Sequence, residues 1–270
     1  MKKKLPPLLL AIAAAFTLAL PAKAQTLTFD GTDIDTSVSS DITGPWLEAG
    51  TVSWDAAAKT LTLDNATIVS KTNGDNVICI KGGCLTIKLV GSNSVTTDGY
   101  KAVEIFNNGQ ATITGSGSLK TESSWMDIFL YGGTLTIDGC SVETKKEIGS
   151  NSTALENHLV VKNATLKTKC VKFFDTISLI GCHIQSPEGA TIKDMAPYSD
   201  GNIVKYICDA YDRELYDIVI VPGEATSIKS AAASAAVENI YTLYGGKVSS
   251  PRPGVNIIRM DDGQSVKVVK

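Results

Sequence analysis

The chain has 270 residues, with 28 acidic side chains against 25 basic ones, and enough apolar residues for one elongated domain and a small tail. The acidic excess, with no arginine before Arg213, excludes a nucleic-acid surface built on a basic stripe. There is no phosphate-cradling or nucleotide fingerprint and no CxxC, and His158 and His183 are the only histidines, so neither a cofactor nor a metal site is expected.

The chain opens on Lys2, Lys3 and Lys4, followed by the apolar stretch Leu8 to Leu20 and then Ala22-Lys23-Ala24. A positive start, a short apolar run and a small-x-small site form a secretory signal over 1–24, with cleavage expected between Ala24 and Gln25. The apolar run is too short to span a bilayer and no later stretch is longer, so no membrane span is expected. Removing 1–24 takes away four lysines and no acids, leaving 21 basic groups against 28 acidic. The protein is therefore expected outside the cytoplasm, secreted or at the cell surface or outer membrane. Residues 25–54, with TLTF, Pro45-Trp46 and TVSW, form an expected N-terminal cap.

A recurrent unit occupies 55–190: KTLTLDNATI (59–68), GCLTIKLVGSNSVTT (83–97), QATITGSGSLKTE (110–122), GTLTIDGCSVETK (133–145), HLVVKNATLKTK (158–169) and TISLIGCHIQS (176–186). Its first apolar residues, Leu61, Leu85, Ala111, Leu135, Leu159 and Ile177, lie 24, 26, 24, 24 and 18 residues apart. Self-similarity at this period marks a solenoid. Within a unit apolar and polar residues alternate, as on a half-buried strand. The bend falls at Asn65, Gly115, Gly139, Asn163 and Gly181, residue types that tolerate positive φ. Between units lie NVICI (76–80), AVEIF (102–106), MDIFLY (126–131) and CVKFF (170–174). Three short strands and three bends per unit make one coil of an all-β, right-handed parallel β-helix of about six coils. A β-sandwich is the alternative. Coils stacked about 4.8 Å apart each bury an inward apolar row on the next.

The repeat places Ala66, Cys140, Ala164 and Cys182 in one small inward slot. Cys140 and Cys182 would then stand two coils apart, near 10 Å, too far for a disulfide, and are expected as buried free thiols. Repeat position assigns no pairing to Cys79, Cys84, Cys170 or Cys208. Asn65-Ala-Thr and Asn163-Ala-Thr match a glycosylation sequon, but both occupy the bend and are read structurally.

One constellation suggests a ligand. If AVEIF and MDIFLY stack, Glu104 and Asp127 point outward about 5 Å apart, near the carboxyl separation of about 5–5.5 Å in retaining glycosidases. Tyr100 and Trp125 sit just before them, and an aromatic face beside a carboxylate suits a sugar ring. No catalytic set accompanies them: the repeat region has no arginine to neutralise a uronate, its acids are scattered, and GSGS (115–118) is a bend. A binding module is therefore expected rather than an enzyme.

After the repeats, 191–224 reads as C-terminal cap strands and 225–239, rich in Ala and Ser, as a linker. The tail at 240–270 carries Ile240, Tyr241, Leu243, Gly245 and Val248, then Gly254, Val255, Ile257 and Ile258, then Lys267, Val268 and Lys270. It resembles the C-terminal sorting domain of Bacteroidetes secreted proteins, the type IX secretion family, with Asn256 where that family usually has Tyr. This resemblance implies a small β domain whose partner is the secretion and sorting machinery. GTVSWDAAAKTLTLDNATI (50–68) resembles the opening of exported Bacteroidetes β-helix proteins and of carbohydrate-binding solenoids, a resemblance covering most of 50–190. It implies a polysaccharide or host glycan as partner, and so an adhesion or carbohydrate-binding module. A polysaccharide-active glycosidase or lyase-like enzyme and a passive envelope component are the alternatives.

Overall fold

The computed structural model describes residues 25–70, 76–150, 155–196, 202–223, 237–242, 246–248, 250, 255–260 and 265–269. The expected signal stretch 1–24, including Ala24, and most of the expected linker lie outside the described residues. The chain divides into two compact units, 1–225 and 226–270.

In the first unit, alternating strands stack in parallel on three faces of a β-solenoid. The first face stacks the start of Thr60–Ser70, then Cys84–Val90, the ends of Lys101–Gly115 and Met126–Asp138, and finally Asn157–Lys162 and Thr176–Ile180. The second stacks the end of Thr60–Ser70 on Ser92–Thr97, Ser118–Glu122, Ser141–Thr144 and Thr165–Thr168. The third stacks Asn76–Lys81, the starts of Lys101–Gly115 and Met126–Asp138, Glu147–Gly149 and Val171–Lys172. This makes about four turns rather than the expected six. The shortfall lies at the end of the stack. Ile218–Pro222 inserts antiparallel between Thr165–Thr168 and Cys182–Ser186, so the last repeat never closes a full coil.

The inward rows form the core. Leu85, Ala111, Leu135, Leu159 and Ile177 stand in register and are all buried, as the spacing predicts. Each large aliphatic in such a row contributes roughly 1.5–3 kcal/mol by leaving water. The first coil departs from the expected register: Leu61 stands opposite Ile87, not Leu85. A two-residue offset keeps every side chain on its own face, so alternation alone does not detect it. The same offset brings Ala66 over Asn93 instead of into the row of Cys140 and Ala164. Asn93 is buried but fully used: its Oδ1 accepts from the Ala66 amide at 2.8 Å and its Nδ2 donates to the carbonyls of Val90 and Ser118, each at 3.1 Å.

The bend residues Asn65, Gly115, Gly139, Asn163 and Gly181 all have positive φ. At Gly115 (φ +117°) a Cβ would come 2.3 Å from the Leu89 carbonyl oxygen of the coil below, so both conformation and close stacking demand glycine.

Antiparallel strands close the start of the stack. Leu47–Asp55 pairs with Thr60–Ser70, and Thr26–Phe29 pairs with Asn76–Lys81, with the Phe29 ring stacked 4.4 Å from Trp46. At the far end a hairpin of Thr191–Met195 and Val204–Cys208 bridges Phe174 to Lys205. Among the described residues no helix is long and apolar enough to cross a membrane.

The second unit is a four-stranded antiparallel sheet in the order Lys247–Val248, Val237–Thr242, Val255–Met260, Ser265–Val269. Its first strand begins three residues before the expected start at Ile240. Asn256 is buried.

All six cysteines are free. Cys140 is buried, whereas Cys182 is only half-buried, because its row ends at the incomplete last coil. Burial pushes the thiols of Cys140 and Cys170 up from 9.0 to about 11 and about 12. At about pH 8 an alkylating reagent is expected to label the exposed Cys84 quickly, and Cys140 and Cys170 only after denaturation, as read by mass spectrometry. A raised folded-state pKa stabilises the fold below the unfolded value and loses that contribution as pH rises through the folded one. The melting temperature should therefore fall between pH 9 and about 12, and less steeply in Cys170→Ala.

Candidate functional site

The third face carries the outward residues of interest. Between the inward Val103 and Ile105, Glu104 faces outward, in register with Cys79 below and Phe129 above. It does not pair with Asp127. Its Oε1 lies 2.8 Å from the Lys101 ammonium, and its Oε2 accepts from Asn76 Nδ2 at 2.7 Å. Lys101 in turn lies 4.7 Å from the centre of the Phe129 ring, a cation–π contact. Glu104 therefore positions Lys101 against Phe129 and shares the local charge with it.

Asp127 corrects the expected outward carboxylate pair. It is fully buried (0 % exposed) at an irregularity in the pairing between Met126 and Ile128. Its Oδ2 accepts from the backbone amides of Lys145 (2.6 Å) and Lys146 (3.0 Å) in the next coil and from the Thr121 hydroxyl (3.3 Å). Its Oδ1 accepts from the Ser123 hydroxyl at 2.7 Å. A buried carboxylate needs such partners. Asp127 is thus a staple that ties two consecutive coils at the corner between the second and third faces, and the two-carboxylate geometry of a glycosidase does not form. Threonines continue this corner: Thr144 Oγ1 bonds Thr168 Oγ1 at 2.7 Å and donates to the Lys146 carbonyl at 2.8 Å.

Tyr100 and Trp125 come together at the surface, 58 % and 38 % exposed, and with Lys101 and Ser124 they line an open groove of about 550 Å³. Sequence reasoning missed the row that continues from them. The Trp125 ring lies 5.3 Å from Phe129, Phe129 6.4 Å from Tyr131, and Tyr131 5.5 Å from Phe106. Phe129 is nearly covered, but Tyr131 is 38 % exposed. The signal was present: aligning Ile128 and Leu130 with Val103 and Ile105 puts Phe129 over Glu104 and Tyr131 over Phe106. Setting Val103 on Met126 instead pairs Glu104 with Asp127.

His158 and His183 do not join this row. The His158 Nδ1 contacts Thr176 Oγ1 at 2.9 Å, and the His183 Nδ1 contacts the Gly223 carbonyl at 3.2 Å. Gln25, beside the expected cleavage site, begins the described residues and packs where a Cβ on Gly83 would fall.

No protein-family model, no curated protein and no solved structure matches this chain.

Proposed function

We propose that the chain is an exported, surface-displayed β-solenoid that binds polysaccharide through the third face, around Tyr100 and Trp125. The observation that carries this reading is the row of aromatic rings on the outer side of that face. Tyr100, Trp125 and Tyr131 present ring surface to solvent that the core does not use. Tyr and Trp combine an apolar body with a polar tip and suit a surface that is apolar on one side and wet on the other. The signal-like start and the resemblance of 240–270 to type IX sorting domains support export and display. The resemblance of 50–68 to carbohydrate-binding solenoids supports the ligand class, as an argument from analogy.

A glycan array probed with the full chain is the test. Binding to one or more polysaccharides is expected, with a loss of roughly 30-fold or more in Trp125→Ala and complete loss in the Tyr100→Ala/Trp125→Ala double variant. An unchanged signal in the double variant would remove this face as the binding site. A blank array from folded protein would favour a passive envelope component.

A further inference from the structure

A second depression, about 430 Å³, lies where the third face turns into the first. It is lined by Asn108, Gln110, Thr134, Leu155, Glu156 and His158, together with the Gly133 backbone. It begins two residues beyond one end of the aromatic row on both strands, Phe106 preceding Asn108 and Tyr131 preceding Gly133, where Lys101–Gly115 and Met126–Asp138 bend from one face to the next. A groove walled by Tyr100 and Trp125 thus stands at one end of the row and a polar depression at the other. From residue 125 to residue 131, before the turn at Gly132 (φ +77°), an extended strand covers roughly 20 Å at about 3.3 Å per residue. One sugar cannot reach both ends; a chain of several can.

The chemistry of the two ends narrows the class further. The bend depression offers amide groups on Asn108 and Gln110, a hydroxyl on Thr134, and the Glu156 carboxylate 3.7 Å from the His158 imidazole, with no lysine or arginine among its described lining residues. In the groove, the Lys101 ammonium is already held by Glu104. Lys81 sits over the Phe106 ring at 5.5 Å, outside both depressions. Hydroxyl groups find donors and acceptors at the bend, whereas a row of carboxylates would meet Glu156 with no cation of its own there.

We propose that, within the glycan-binding reading above, the ligand is a neutral, linear polysaccharide. It is gripped along its length, with one stretch of the chain on Trp125 and another in the depression at Gln110 and His158. Binding is then to the interior of a polymer rather than to a terminal sugar.

The test is calorimetric titration of the full chain with neutral linear oligosaccharides of the cello, manno and xylo series, each from disaccharide to octasaccharide, beside an oligo-uronate series. Trp125→Ala and the double variant Gln110→Ala/His158→Ala are titrated in parallel. Both variants alter surface positions, and unchanged melting temperatures confirm that they fold. Affinity is expected to rise with length and to level off only once a chain spans both ends. The bend variant should lose roughly 10-fold or more on octasaccharides while leaving disaccharide affinity unchanged, and Trp125→Ala should weaken both. Affinity already complete at the disaccharide, an unaffected bend variant on octasaccharides, or tighter binding of the uronates would overturn the proposal while leaving glycan binding standing. Absence of binding to every oligosaccharide and on the array would overturn both readings.

Discussion

Replacing Asp127 with alanine is expected to destabilise the solenoid by about 3–5 kcal/mol, the scale of leaving several buried donors without their acceptor. The substitution strands the Lys146 amide and the hydroxyls of Thr121 and Ser123 at a buried corner, and leaves the Lys145 amide only its bond to the Thr121 carbonyl at 3.1 Å. An unpaired buried donor costs about 1–3 kcal/mol, and relaxation of the corner would keep the total below the sum. Asp127→Asn keeps the shape but turns one acceptor into a donor, so an intermediate loss is expected. Denaturant midpoints at constant m-value are the measurement. If alanine cost less than about 1 kcal/mol, the side chain would not be tying the coils together. The same experiment separates structure from binding: Asp127 lies beneath the surface, so Asp127→Asn should leave the affinity of the remaining folded protein for glycan unchanged.

The second large effect is expected in the middle of the stack. Ile113 is fully buried, with Ile87 below it and Ile137 above in the same inward row. Ile113→Ala removes methyl groups from both interfaces and leaves a cavity, for an expected loss of about 2–5 kcal/mol. Ile177, in the last strand of the same face, is 8 % exposed and packs on Leu159 alone among the paired strands. Its replacement by alanine should cost less than half as much. In a stack where each coil contacts only its neighbours, a central defect weakens two interfaces and a terminal one only frays the end. Hydrogen exchange should show protection lost on both sides of Ile113 but only beyond Asn157 for Ile177. Equal losses at the two positions would contradict a nearest-neighbour stack.

These effects bear on the site because Trp125 and Tyr131 are held by what lies beneath them. Phe129 supports Trp125 from one side and is itself covered by Lys101, which Glu104 holds in place. A Glu104→Gln variant would therefore report on the positioning of Phe129, not on a catalytic carboxylate.

Much of the solenoid was legible in order of residues alone. Alternation over Leu135-Thr136-Ile137 obliges a strand with one oily side, because successive side chains on extended backbone point in opposite directions. The Asn and Gly bends were equally readable, since few other residues accept positive φ. Repetition of that short pattern forces stacking, because a single coil cannot cover its own apolar row. Tyr100 and Trp125 were legible by position alone, just before Glu104 and Asp127, although the carboxylate pair that singled them out does not form.

Registration between coils was another matter. Leu61 meets Ile87, Glu104 meets Phe129, and Asp127 turns under the corner to the amides of Lys145 and Lys146. A slip of two residues leaves the inward and outward sets untouched, so the pattern is blind to it. What chooses among such registers is the length of each connecting bend and the hydrogen bonds made across coils, between residues some two dozen positions apart. The insertion of Ile218–Pro222 into the second face is of the same kind. Local chemistry thus determined which residues make strands, bends and core; only the assembled stack decided which residues meet, and so placed the aromatic row beside the polar depression.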